Sequence, residues 1–178
     1  MLTDCSLILR AASFAAERHR DQRRKGVEET PYVNHPLAVA RALCDEGGVT
    51  DAELLAAALL HDTIEDTPTT PEELRREFGP RIAAIVVEVT DDKKLSKATR
   101  KRLQVDHAAQ ASADAQQIKI ADKLCNLRDI LSSPPSDWPQ FRKHQYFDWA
   151  KEVVDQVRDS NPRLARLFDD AYAEKSKL

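Results

Sequence analysis

A chain of 178 residues, 42% hydrophobic and 32% charged, has apolar material for one well-buried core and little length for two. Its formal charge of −3 excludes a global field for nucleic acid or an anionic membrane, so a polyanionic ligand has to be met by local basic clusters. No apolar run approaches the ~20 residues of a membrane helix. Cys5, Cys44 and Cys125 are an odd number with no CxxC pair, so a reducing, cytoplasmic setting is expected.

Four glycines, no hairpin dipeptide between alternating runs, and apolar residues at helical spacing predict an all-α fold. In chain order, helices are expected near 6–20, 36–46, 51–65, 71–78, 80–90, 97–110, 115–131, 139–159 and 162–175. The first runs into "RHRDQRRK", with five basic residues against one acid. The second opens on His35 before Pro36, which predicts an imidazole held extended at the helix mouth. Thr50 with Glu53 and Thr70 with Glu73 read as capping boxes. Pro71 and Pro162 suit first helical positions, and Gly47, Gly48 and Gly79 suit helix ends. Ile82, Ile85, Val86 and Val89 form one apolar face, and Leu164, Leu167, Phe168 and Ala171 another. "SSPPSDWP" is a linker too short to divide domains. A single domain over 1–178 is expected, with no synthetase or regulatory domain.

The chemistry concentrates in "LLHDTIEDT", residues 59–67. Continuing the stripe of Leu54, Leu55, Ala58 and Leu59 along one helix turns His61 and Asp62 inward. A buried carboxylate is costly unless it is paired or bound to a metal. Glu65 and Asp66 follow one turn later at i, i+4. Taken alone, the stretch reads equally as a solvated helix end with a hydrogen-bonded core histidine. In "QIKIADKLCNLRDIL", Asp122 shares a helical side with Ile118 and Cys125, a second inward acid with Asn126 one turn on. His35, His61, Asp62 and Asp122 then form a set of two imidazoles and two carboxylates, which suits Mn²⁺, Fe²⁺ or Zn²⁺ better than Ca²⁺.

The order H…HD…D resembles the HD phosphohydrolase superfamily. The blocks "AAERHRDQRRKG", "TPYVNHPLAVA", "AALLHDTIEDT", "VEVTDDKKL", "RKRLQ", "IKIADKLCNLRDI" and "YFDWAKEVV" resemble, in order, the hydrolase domain of the RelA/SpoT alarmone enzymes. They are most similar to the small stand-alone SpoT homologues. The glutamate-aspartate pair after the HD motif marks alarmone hydrolases within the superfamily, and Glu65 and Asp66 supply it here.

The resemblance implies an all-α fold of about nine to ten helices and one divalent metal, Mn²⁺ before Fe²⁺ or Zn²⁺, on His35, His61, Asp62 and Asp122. It implies hydrolysis of the 3′-pyrophosphate of guanosine 3′,5′-bis(pyrophosphate), ppGpp, to GDP and pyrophosphate, with Glu65 and Asp66 activating water. By the same similarity Arg24, Lys25, Lys97, Asn126, Arg142 and Tyr146 hold the nucleotide and phosphates of ppGpp or pppGpp. Tyr32 and Trp138 offer either stacking surface for a base or ordinary core.

Ser96 stands where relatives commonly carry proline and is expected to loosen Lys97. Cys125 replaces a common aromatic and is expected to reshape the pocket floor. His19, His107 and His144 match no ligand position and read as surface or packing residues. Removal of the 2′-phosphate of NADPH is the second enzymatic reading, since it uses the same ligand set. A non-catalytic alarmone-binding module would require gaps in the ligands or the acidic pair, and there are none. Neither nucleic acid nor membrane is an expected partner, and oligomeric state is not legible.

Overall fold

The computed structural model describes residues 3–178, and among them the regular structure is helical, with two isolated antiparallel bridges, Arg23 with Pro31 and Gly26 with Pro135. Ten α-helices follow in chain order among the described residues: α1 (Asp4–Arg18), α2 (Asn34–Arg41), α3 (Ala52–Leu60), α4 (Thr63–Asp66) and α5 (Pro71–Phe78), then α6 (Pro80–Val89), α7 (Lys97–Ala108), α8 (Ala113–Ser132), α9 (Gln140–Asp155) and α10 (Pro162–Ala173). No described helix is long and apolar enough to cross a membrane.

The centre is α3. Its sequence AELLAAALL is apolar almost all round, and every residue except Glu53 is buried. Helices α1, α2 and α6 pack on it, while α8 lies against α2, α6, α9 and α10. Asp51 caps α3, in place of the expected Thr50: its Oδ1 accepts from Glu53 N at 2.9 Å and from Leu54 N at 3.4 Å. A carboxylate adds charge at the positive helix end to the capping bond, a combination a hydroxyl lacks, and such caps contribute about 1 kcal/mol.

The helix expected over 51–65 is broken at its functional end. His61 Nδ1 donates to Ala58 O at 2.8 Å, and Thr63 Oγ1 donates to Leu60 O at 2.7 Å. Side chains thus take carbonyls that a continuing helix would use. The chain turns through His61 and Asp62 and restarts as α4.

A second expectation fails at His35, which lies in the first turn of α2, following Val33 in helical conformation. Its N–H donates to Tyr32 O at 2.9 Å and the ring is buried, and these gains outweigh the extended preference before proline. Pro36 is therefore the third helical residue, still within the turn where its missing N–H costs nothing. The end of this helix widens into a π turn, Ala42–Glu46.

Thr70 makes half of its capping box. Its hydroxyl accepts from Glu73 N at 3.2 Å, but the Glu73 carboxylate turns to Arg18. Gly79, at φ 91°, joins α5 to α6 in a conformation that disfavours any side chain.

Between α1 and α2, residues 22–31 form an arm closed by Arg24 N to Thr30 O at 2.9 Å and Tyr32 N to Gln22 O at 3.0 Å. Its tip rests on the segment after α8, where a Cβ on Gly26 would meet the Ser133 carbonyl oxygen at 2.8 Å. That close approach pins the basic arm beside α8.

Candidate active site

Four side chains converge where α2, the α3–α4 turn and α8 meet. His35 Nε2 lies 3.1 Å from Asp122 Oδ1 and 3.8 Å from Asp62 Oδ2. His61 Nε2 lies 3.0 Å from Asp62 Oδ2 and 4.0 Å from Asp122 Oδ1. One ligand atom from each of His35, His61 and Asp62 falls within 4.8 Å of the others, and Asp122 joins them through both imidazoles.

The donor chemistry fits a cation. His61 commits its Nδ1 proton to Ala58, so Nε2 is the nitrogen presented to the centre, buried and without a hydrogen-bond partner. That nitrogen lies 3.0 Å from Asp62 Oδ2, so an imidazole and a carboxylate stand side by side facing the same centre, a donor pair suited to one divalent cation. Burial lowers the pKa of His35. Burial also opposes protonation of His61, but the charge of Asp62 beside it prevails and pushes the imidazole up to about 9. Asp62 and Asp122 are held below the usual carboxylate range against their burial, the first by His61 and the second by Lys123 and His35.

Tyr32 departs from the stacking role. Its hydroxyl donates to Asp62 Oδ2 at 2.7 Å, and its ring is occupied by His19 at 4.9 Å and the Arg24 guanidinium at 5.5 Å.

The acidic pair sits on α4. Glu65 Oε2 accepts from Asp91 N at 3.2 Å, and Oε1 lies 3.5 Å from Arg100 Nη1. Burial, reinforced by the carboxylates of Asp91, Asp62 and Asp66, pushes Glu65 up to about 7 despite the Asp91 amide. Asp66 Oδ2 accepts from Gln22 Nε2 at 2.9 Å, and its other oxygen pairs with Lys93.

His35, His61, Asp62, Asp122 and Glu65 line an inner chamber of about 150 Å³ that also holds Lys119 and Lys123, while Asp66 faces the outer cleft. Arg24, Tyr32, His35, Asp91, Gln104 and Asn126 line both this chamber and an outer cleft of about 1000 Å³, so the two communicate. The expected substrate residues Arg24, Lys25, Lys97, Asn126, Trp138, Arg142 and Tyr146 all face the cleft. Trp138 lies under Arg142, 4.3 Å from the guanidinium, with Tyr146 at 5.7 Å. Arg24 donates to Asn126 Oδ1 at 2.9 Å and to Asp129 Oδ2 at 2.6 Å, and Asn126 in turn donates to Asp122 Oδ1 at 2.6 Å. Burial and the neighbouring charges of Arg142, Lys25 and Arg100 lower the pKa of Lys97. Crowded cations of this kind are relieved by an anion.

A family model described as "HD domain" matches residues 11–150. The chain belongs to the HD-domain family. His61 and Asp62 are its adjacent His-Asp pair in sequence. The guanosine-3′,5′-bis(diphosphate) 3′-pyrophosphohydrolase MESH1 of Xenopus tropicalis is 53% identical over 98% of each chain, and that of Homo sapiens is 47% identical over 98% of each. A solved structure described as a metazoan orthologue of SpoT that hydrolyses ppGpp superposes with a TM-score of 0.93, at 46% identity over 97% of both chains. Among HD-domain proteins this chain therefore groups with the small SpoT-type members.

Several residues of the site were not singled out from the sequence although they lie within the blocks "VEVTDDKKL", "RKRLQ" and "IKIADKLCNLRDI". Asp91, Arg100, Lys119 and Lys123 enter it from α6–α7 and α8. His19, expected as surface or packing, is buried, and the signal for this was its place four residues beyond Ala15 and eight beyond Ala11, both fully buried. His107 is exposed. Ser96 does not loosen Lys97: its hydroxyl accepts from Thr99 N at 3.1 Å and caps α7, fixing Lys97 as the first helical residue. Cys125 is buried and lines neither cavity.

Proposed function

We propose that this protein hydrolyses the 3′-pyrophosphate of ppGpp, giving GDP and pyrophosphate, and that Glu65 and Asp66 handle the attacking water. The observation that carries this reading is a carboxyl pushed towards neutrality, Glu65, beside a cation-competent His/Asp set at the inner end of a basic cleft. The SpoT-type relatives bear the name of this reaction.

His35, His61, Asp62 and Asp122 would hold one divalent cation, Mn²⁺ in the first instance and Fe²⁺ or Zn²⁺ as alternatives. A cation so held supplies a bound water of lowered pKa and offsets phosphate charge. Glu65, anchored through Oε2 by the Asp91 amide, accepts a proton from the attacking water. Asp66, fixed by Gln22 and Lys93, orients that water. The water oxygen bonds to phosphorus, the P–O3′ bond breaks, the 3′ oxygen takes a proton from solvent as it leaves, and Glu65 returns the proton it accepted to solvent. Arg24, Lys25, Lys97 and Arg142 hold the nucleotide phosphates, and the Trp138 and Tyr146 rings flank the base side of the cleft.

The test is incubation of Mn²⁺-loaded protein with ppGpp and product identification by mass spectrometry. GDP and pyrophosphate in equal amounts are expected, and release of orthophosphate would overturn the reading. The volume of the cleft, at the upper end for small-molecule sites, also admits a dinucleotide, so NADPH belongs in the same panel.

Turnover should rise with pH through about 7 and level off above it, because only the ionised Glu65 accepts a proton. Asp91→Asn keeps the backbone amide but removes a neighbouring charge, so the limb should move to lower pH. A limb that stays in place would assign it to another group. The same shift has a stability sign: from the ordinary 4.5 up to about 7 the folded protein retains a proton that the unfolded chain has released. Stability contributed by this group therefore falls as pH rises through that window.

Lys25→Ala and Lys97→Ala should raise KM and flatten its dependence on ionic strength while kcat changes little. Each removes a phosphate-steering charge remote from the ligand set. Kinetics from low to physiological salt check this.

A further inference from the structure

We propose that His19 and Gln22 form a positioning pair for Asp66, and that His19 steadies Asp62 as well through Tyr32. The inference rests on the phosphohydrolase reading of the site but concerns two residues outside the ligand set and the acidic pair.

His19 follows the last turn of α1, its N–H donating to Ala15 O at 3.0 Å, and its side chain is 2% exposed. Nδ1 lies 2.7 Å from Gln22 Oε1, and Gln22 Nε2 lies 2.9 Å from Asp66 Oδ2. An amide oxygen only accepts, so Nδ1 carries the proton, and the amide nitrogen is turned to donate to Asp66. The opposite amide orientation would set the amide oxygen against a carboxylate oxygen, two acceptors with no proton between them. Bonds at both ends therefore hold one Gln22 orientation, with its N–H aimed at the Asp66 carboxylate and its oxygen backed by His19.

Packing alone does not account for this histidine. Its Nε2 is buried without a partner, a cost that an apolar ring of similar size would avoid. On its face the ring lies 4.9 Å from Tyr32 at an interplanar angle of 31°, and the Tyr32 hydroxyl donates to Asp62 Oδ2. One imidazole thus backs two carboxylates with different tasks, Asp62 among the ligands and Asp66 beside the water. Lys93 approaches Asp66 from the solvent side, so Gln22 is its support from within the fold.

The test compares Gln22→Leu, His19→Phe and His19→Asn with the wild type on ppGpp and on NADPH, with metal content and melting temperature measured alongside. Gln22→Leu and His19→Phe should lower kcat by about 10- to 100-fold, the range of supporting residues around metal sites, with KM and metal content little changed. In His19→Asn the side-chain amide can donate from the place of Nδ1, and most of the loss should be restored. Unchanged kcat in Gln22→Leu, or His19→Asn no better than His19→Phe, would overturn the proposal. Nitrogen NMR of labelled histidine reads the pair without substrate: a proton on Nδ1 of His19 is expected, and one on Nε2 would also overturn it. Wild-type protein inactive on both nucleotides would defeat the functional reading instead, leaving the NMR outcome to decide the pair.

Discussion

Glu65→Gln is expected to retain the metal and lose turnover by ~10²-fold or more, the usual contribution of a positioned base. The substitution keeps an oxygen that can accept from Asp91 N, so the 90–96 loop stays anchored to α4. What is lost is the one site that receives a proton. The ion pair with Arg100, at 3.5 Å, weakens too, but both partners are partly exposed and such pairs contribute little. Single-turnover kinetics with elemental analysis of the same sample check the result. Unchanged turnover would place water activation elsewhere.

Removing the acidic ligands should have the larger effect, and the two should differ in kind. Asp62→Ala and Asp122→Ala each take away one of four proposed ligands, so metal content and activity should vanish together. Saturating metal at 100 times its Kd stabilises a fold by ~2.7 kcal/mol, and both variants forfeit this. Asp122→Ala carries a further penalty. Lys123 is buried and donates to Asp122 Oδ2 at 2.8 Å, and that carboxylate, against the effect of burial, holds its pKa above the ordinary value. Without its partner the ammonium is stranded, at a cost of ~3–5 kcal/mol. Metal-free Asp122→Ala should therefore unfold well below metal-free wild type, and metal-free Asp62→Ala should lose less, because the buried imidazole left beside it, His61, can shed its proton and stay neutral where an ammonium cannot do so cheaply. Denaturant titrations in chelator measure the difference, and equal midpoints would show that Lys123 finds another partner.

The helical class was legible because apolar spacing decides it: α6 and α10 bury Ile82, Ile85, Val86 and Leu164, Phe168, Ala171 as the period predicts. The convergence of His35, His61, Asp62 and Asp122 was legible for a different reason. An inward acid on an apolar stripe demands a partner whatever the local backbone does, so Asp62 and Asp122 signalled a site even though the helix expected through residue 62 is broken. That break was invisible because it is made by side-chain bonds from His61 and Thr63 to carbonyls, which leave no trace in periodicity. The capping residue of α3 was misjudged for a similar reason. Two adjacent residues, Thr50 and Asp51, both suit a cap, and a contact 30 positions away, Arg81 to Asp51 at 2.6 Å, accompanies the choice. His19 and Gln22 were passed over because the basic residues around them dominated the reading of "RHRDQRRK", and their partner, Asp66, lies 44 residues beyond Gln22.

The bond from His61 to Ala58 has a chemical consequence beyond ending a helix. With Nδ1 committed to a carbonyl of its own chain, only Nε2 is left to exchange, and a proton and the proposed cation would contend for that single nitrogen. Acid would then act as a competitive antagonist of a cation held there. On that reading, acidification should lower metal content reversibly, while the Ala58 carbonyl of α3 keeps the other side of the ring in place.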